Sequence, residues 1–251
     1  MRLITSSCSN FIICTLLVLA AQLAVHAFTA PQTILNFRSC RLCSTTTTRS
    51  QLNARPEARS REVHKNILSR RTINEFEPTL PDNWERALEK SIEAAIFAPN
   101  HKRTEPWRFY LLGPKSIEQV CQLNAEIVAS KKGEAAGEKK LKRWLQMPGW
   151  LVVTCVRAND DFNDPTSLAR EDYAACCCAV QNLCLSLHSQ GIGTKWTTGP
   201  VNFDSRFAEA VGFAPEEEYT VGTLWFGSAV GSSPSAPGKK LGVEGTFTKV
   251  E

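Results

Sequence analysis

Three short segments of the sequence carry side chains whose chemistry calls for a ligand. Arg70, Arg71 and Thr72 are consecutive. Two guanidiniums supply forked donors and the hydroxyl adds another, a set that suits a phosphate group; an exposed basic helix end is the plain alternative. Residues 98–107, APNHKRTEPW, place Pro99, Asn100 and His101 after a helical pattern and Pro106 before Trp107. A loop bounded in this way positions backbone and polar groups. Residues 191–200, GIGTKWTTGP, surround Trp196 with glycines and threonines. That composition permits close backbone approach to a flat or phosphorylated ligand, and a plain turn region explains it about as well.

Other chemistries lack their signatures. The sequence has no GxSxG, HExxH or P-loop, and no H-x-E followed by PCxxC. Of its ten cysteines, Cys8, Cys14, Cys40 and Cys43 lie in the first 55 residues, and the Cys40/Cys43 pair has no second CxxC to complete a zinc site. Cys176, Cys177 and Cys178 are consecutive, so on a helix they point in different directions and read as small hydrophobes rather than one tetrahedral site. His64, His101 and His188 show no ligand spacing, and no metal is expected.

The elements that must position these segments follow from periodicity. Residues 59–69 read as a helix with Val63, Ile67 and Leu68 on one face, and residues 82–97 as a second helix carrying Trp84, Leu88, Ile92 and Ile96. Residues 107–112 read as a strand, and residues 116–130 as a helix after the Gly113-Pro114 turn. Residues 133–146, containing AGEKKLKRW, read as a solvated covering helix. The apolar run at 150–156 reads as a central strand. Residues 167–190 form the longest helix, with so few polar positions that burial on most sides is expected, as the spine of the domain or of a dimer interface. A short helix at 203–211 and a last strand at 220–227 complete a helix-rich α+β domain of about four strands, without internal repeats and without a GxGxxG after a strand.

Charge is distributed unevenly. The 251 residues, 43% hydrophobic and 22% charged, have a globular composition that excludes collagen, coiled coil and wholesale disorder. No Asp or Glu precedes Glu57, while that stretch carries five Arg and no Lys; the remainder holds 24 basic against 25 acidic residues. The basic excess therefore belongs to the leader and gives no support to nucleic-acid binding. Within the leader, residues 11–25 are apolar, roughly 22 Å as a helix against the ~30 Å of a bilayer core, and end in the small-residue site AVHA. Residues 1–27 accordingly read as a signal peptide. Residues 28–55, acid-free and rich in Ser, Thr and Arg, read as a transit segment, with cleavage near residues 52–55 and the mature domain over 56–251. The junction FTAP, with Phe28 at its head, resembles the bipartite plastid presequence of algae with extra plastid membranes. Plastid import is the expectation, the secretory pathway the principal alternative and mitochondrial import a lesser one, with no stable membrane anchor in the mature form.

Four blocks in order, SRRTINEF at 69–76, AAIFAPNHKRTEPWRFYLL at 94–112, GIGTKWTTG at 191–199 and VGTLWFGSA at 221–229, resemble the nitroreductase family, especially its small bacterial members. The resemblance implies a mostly antiparallel sheet flanked by helices and a homodimer with FMN at the subunit interface. It implies an NAD(P)H-dependent flavin oxidoreductase that reduces a small acceptor, such as a nitroaromatic or quinone, by a ping-pong mechanism. A non-catalytic flavin-binding protein and a reductive dehalogenase-type member are the alternatives. No side chain carries the chemistry itself, because flavin N5 takes the hydride. By the same resemblance, Arg70, Arg71 and Thr72 contact the flavin, His101 approaches it from the other subunit, and Trp196, Thr197 and Thr198 line it. The family often has Arg where this chain has Thr197; Lys195, Lys239 or Lys240 would replace that charge.

Overall fold

The structure, a computed structural model, describes residues 56–231, 240 and 242–250. They belong to one unit, Arg55–Glu251. The leader, its cleavage site and Lys239 lie outside the described residues.

At the centre is β2 (Gly149–Val156), whose side chains are buried on both sides, which is why its sequence is an almost unbroken apolar run. It pairs antiparallel with β1 (Trp107–Leu111) and with β4 (Glu218–Gly227); β4 in turn pairs antiparallel with β3 (Gly193–Thr197), giving the order β1-β2-β4-β3. The register shifts between Val153 and Thr154, where β4 carries the extra residue Val221. Leu151, Val153 and Cys155 point to one face with Leu224 and Phe226, and there meet α2 (Trp84–Ala95) and α5 (Leu168–Ser189). Trp150, Val152 and Trp225 point to the other, against α3 (Pro114–Lys132), α4 (Glu134–Trp144) and α6 (Ser205–Val211). On that face Trp144, Trp150 and Trp225 pack edge to face, with centroids 5.1–5.6 Å apart.

This is the α+β arrangement with an antiparallel sheet that the sequence predicted, with one correction. Residues 193–197, expected as part of a glycine loop, form the fourth strand. Here Gly193 serves the fold rather than a ligand: a Cβ on it would stand 2.5 Å from Ile73 Cγ1, so glycine lets the segment after Thr72 lie against β3. In the single chain, α5 leaves one stripe uncovered. Cys176 and Ala179 are buried while Ala174, Cys178 and Gln181 face outward, so the three consecutive cysteines occupy three environments. The helix α1 (Pro56–Ser69) leaves the apolar trio of its one face exposed: Val63, Ile67 and Leu68 are 59%, 48% and 69% accessible. This helix touches the rest of the chain mainly through α5, with Asn66 Nδ2 donating to Leu185 O at 3.1 Å. No helix among the described residues is long and apolar enough to cross a membrane.

Candidate functional site

Arg70 and Arg71 follow the last residue of α1, beside the C-terminal end of α5. Ser69 Oγ and His188 Nε2 are 2.9 Å apart. Burial pushes the His188 imidazole below its usual range, and the Arg70 and Arg71 guanidiniums push it further, so this helix end carries concentrated positive charge. Arg71 Nη1 donates to Leu68 O at 2.6 Å and to Arg70 O at 2.9 Å, satisfying carbonyls left open where α1 ends. Its Nε is buried without a partner among the described residues, and neither arginine reaches a carboxylate there. Thr72, exposed, bridges in parallel to Thr194 of β3, and Ile73 N donates to Thr194 O at 3.0 Å. Through that bridge the chain brings the basic pair to the strand that carries Trp196.

The late segment divides by strand alternation. The Trp196 ring lies over Gly222, where a Cβ would stand 2.1 Å from Trp196 Nε1; only glycine leaves room for it, and the ring remains 39% accessible. Lys195 and Thr197 point to the opposite face and line a cleft with α3 and α4. There Lys195 Nζ donates to Asn74 Oδ1 at 2.8 Å and stands 5.4 Å from the centre of the Trp225 ring. Of the three lysines expected to replace the family arginine, Lys195 shares a strand face with Thr197, whereas Lys240 is exposed in the tail. Thr198 lines a third region, a cavity of about 560 Å³ walled by Phe162, Tyr173, Phe203 and Tyr219, with Arg157 lying 5.2 Å from the Tyr219 ring centre. Asn202 fixes the segment beyond: it accepts from Gly199 N at 3.1 Å and donates to Thr223 Oγ1 at 2.7 Å.

His101 opens a short 3₁₀ turn (His101–Arg103) in the loop before β1. Lys102, Arg103 and Glu105 all have positive φ, 54°, 55° and 45°, a costly conformation for residues with side chains, and such strain persists where surrounding contacts over-determine it. Those contacts are Asn100 Oδ1 accepting from Glu105 N at 3.1 Å, Thr104 Oγ1 donating to Asp172 Oδ1 at 2.6 Å, and His101 Nδ1 bonded to Glu171. His101 therefore sits at the N-terminal end of α5, while Arg70 and Arg71 sit at its C-terminal end. Glu171 and His188 are 17 residues apart on one helix, roughly 26 Å along its axis. The structure thus brings Arg70, Arg71, Thr72 and Trp196 to one neighbourhood and leaves His101 at the far end of the same chain.

Sequence reasoning missed Asn74, Glu171, Thr194, Asn202 and Gly222. Each acts by holding a predicted residue, and such second contacts leave no local motif. Glu171 alone had a signal, one helical turn into a pattern that places it beside the loop.

The fold agrees with known proteins. The model of the nitroreductase family matches residues 67–228. The chain belongs to the nitroreductase family. A curated relative in Bacillus subtilis (strain 168), named "Putative NAD(P)H nitroreductase YfhC", is 31% identical over 159 residues, 61% of this chain and 77% of the relative. Another, "Putative NAD(P)H nitroreductase YdjA" of Escherichia coli (strain K12), is 24% identical over 64% of this chain and 85% of its own. Among solved structures, a nitroreductase-like family protein from Bacillus cereus aligns at TM-score 0.62 and 26% identity, covering 75% of this chain and 96% of its own. A nitroreductase with bound FMN from Bacteroides fragilis NCTC 9343 aligns at TM-score 0.56 and 21% identity, covering 76% and 99%.

Proposed function

We propose that this chain is an FMN-dependent oxidoreductase that takes reducing equivalents from NAD(P)H and passes them to a small, flat acceptor, such as a nitroaromatic or quinone, in ping-pong turns. One observation carries the reading: two arginines without carboxylate partners among the described residues, one with a buried Nε left open there, stand beside the strand that carries an accessible tryptophan seated on glycine. That donor set fits a ligand that joins a phosphate to a planar ring.

When bound, FMN supplies the ring that takes up and gives back hydride; the chain's own groups bind and orient. Arg70 and Arg71 hold phosphate and polar ring or ribityl oxygens, Thr72 adds a hydroxyl, and Trp196, Thr197 and Thr198 border the ring. The aromatic cavity beside Thr198 favours a flat acceptor. Glu171 fixes His101 Nδ1, so Nε2 is the atom that His101 offers outward.

A homodimer completes the site. Roughly 26 Å of α5 separates His101 from Arg70 and Arg71, so both ends serve one flavin only if His101 comes from a second copy. The exposed Val63, Ile67 and Leu68 of α1 and the outward stripe of α5 are surfaces such a copy would cover. Plastid import directed by residues 1–55, and a mature chain beginning near residue 56, belong to the same proposal.

The test is an absorbance spectrum of the purified protein before and after anaerobic NADPH and NADH. A flavin spectrum that bleaches with either donor and returns with a quinone is expected. A folded protein that is colourless and takes up no FMN refutes the reading.

A further inference from the structure

Among the residues placed around the flavin, one side-chain type both gives and takes a proton near neutral pH. Guanidiniums stay charged, and threonine hydroxyls and the tryptophan indole keep their hydrogens, whereas imidazole as a type gains and loses its proton in that range. In this set the imidazole is that of His101. Of the described histidines, His64 bonds Ser60 and His188 lies beside Ser69, while His101 alone pairs with a carboxylate, that of Glu171. An ionised carboxylate only accepts, so Nδ1 carries the hydrogen of that bond and Nε2 is left as the exchangeable site. Nε2 makes no hydrogen bond among the described residues, and the His101 side chain is 54% accessible.

The platform under His101 is fixed at several points. Glu171 and Asp172 are consecutive near the start of α5, and each holds one residue of the loop. Glu171 takes His101, and the buried Asp172 accepts from Thr104 Oγ1 at 2.6 Å. That end of α5 is itself anchored, since Asp160 Oδ1 accepts from Ala169 N at 2.9 Å and Ser167 Oγ accepts from Arg170 N at 3.3 Å. Between the two clamps the chain turns through Lys102 and Arg103, whose positive φ values persist because both ends are held. A strained loop tied twice to one helix end presents its histidine in one orientation. Proton transfer needs that, because the transferring atom must come within about 2.6–3.2 Å of its target.

We propose that His101 is the proton donor to the acceptor and that Glu171 is its positioning residue. The inference deepens the redox reading and rests on it, including the second copy that brings His101 to the flavin. A quinone that receives a hydride becomes a hydroquinone monoanion, and one further proton completes the hydroquinone. That proton comes from the imidazolium: its Nε2–H bond breaks, an O–H bond forms on the acceptor, and the neutral imidazole recovers a proton from water. Glu171 keeps Nδ1–H engaged throughout, so the ring holds Nε2 toward the acceptor. A substrate class follows. Acceptors whose reduction ends in an O–H bond, quinones and nitro compounds, use His101, and acceptors of electrons alone do not.

The experiment separates the half-reactions of the FMN-loaded protein by anaerobic stopped flow in wild type, His101→Ala, Glu171→Ala and Glu171→Gln. Reduction by NADPH is followed first, then reoxidation by a benzoquinone and, separately, by ferricyanide, which takes electrons without a proton. General acid catalysis contributes about 10²–10⁴-fold, so His101→Ala should slow the quinone step by about 100-fold or more, with partial recovery on adding imidazole. Glu171→Ala should slow it roughly tenfold, and Glu171→Gln, whose amide oxygen still accepts from Nδ1–H, should recover most of that loss. The NADPH and ferricyanide steps should match wild type in all variants. So should melting temperatures, since both side chains are well exposed; His101→Gln, which keeps a polar side chain in the loop, is the second variant should His101→Ala melt early. Nitrogen NMR of the apoprotein at alkaline pH reads the tautomer independently of activity. It should show His101 protonated on Nδ1 in wild type and Glu171→Gln, with Nε2–H appearing in Glu171→Ala. Equal slowing of quinone and ferricyanide, an unaffected quinone step in His101→Ala, or the Nε2–H tautomer in wild type overturns the proposal and leaves the redox reading standing. A protein that takes up no flavin overturns the reading, and this proposal with it.

Discussion

Replacing Arg70 and Arg71 separately by alanine distinguishes a ligand-binding arginine from one that also builds the fold. Arg70 makes no side-chain hydrogen bond among the described residues, so its guanidinium stabilises the unliganded chain little and crowds His188. Arg71 closes the end of α1 through bonds of 2.6 Å and 2.9 Å to Leu68 O and Arg70 O. Each such bond contributes about 0.5–1.5 kcal/mol, so Arg71→Ala should cost the apoprotein roughly 1–3 kcal/mol, while Arg70→Ala should leave it unchanged or slightly more stable. Toward FMN both lose a charge-assisted contact of about 1.5–3 kcal/mol, which raises Kd roughly 10- to 150-fold. Fluorescence titration of FMN into apoprotein gives Kd, and calorimetry of the same samples gives Tm. The expected pattern is two weakened affinities with only the Arg71 variant melting earlier. Flavin affinities within twofold of wild type in both variants, with native melting, would refute the assignment of this pair.

Three further outcomes follow from the same geometry. Gly222→Ala drives a methyl to 2.1 Å from Trp196 Nε1, so the ring must swing away; a loss of about 1–3 kcal/mol and an altered Trp emission are expected, and an unchanged spectrum with native stability would contradict the packing. His188 has a folded pKa below its unfolded value, so the unfolded chain binds the extra proton; its contribution is fully present above about pH 6.5 and is lost as pH falls from there through the lower folded pKa. NMR titration should show that pKa rising in Arg70→Ala and on FMN binding, and an unmoved value in both would show that the arginines do not face it. Asn124→Leu removes a donor buried without a partner among the described residues, so Tm should rise with a gain of about 1 kcal/mol; a lower Tm would mean that Nδ2 is paired.

What was legible in the sequence was what local pattern decides. The apolar run of β2 and the length of α5 were read within a residue or two, because two-sided burial and helical spacing leave direct traces. Strand β3 was hidden because it alternates Lys195 and Thr197 against Thr194 and Trp196 between glycines, an edge strand with neither face uniformly apolar. The trio on α1 was visible as a face, but nothing among the described residues covers it. Lysines of α4 looked like a solvated cover because only tertiary packing turns them toward one cleft. Gly137 makes that packing close, since a Cβ there would stand 2.8 Å from Ala125 O of α3. The strain at Lys102, Arg103 and Glu105 left no sequence trace, as none is a glycine.

The position of β3 at the sheet edge explains how one five-residue strand offers residues of both its faces to a ligand. A central strand is buried on both faces, so its alternation only feeds two halves of a core, as in β2. An edge strand has one side without a neighbour, and residues on either face are reached from solvent. Along β3, Thr194 ties the Arg70 segment into the fold, Trp196 presents an aromatic face on that side, and Lys195 and Thr197 look into the basic cleft on the other. A substitution at 197 therefore changes the cleft and leaves the Trp196 face untouched. Replacing Thr197 by arginine adds a cation beside Lys195 and should tighten FMN binding; a flavin Kd within twofold of wild type would show that this face of the strand does not reach the flavin.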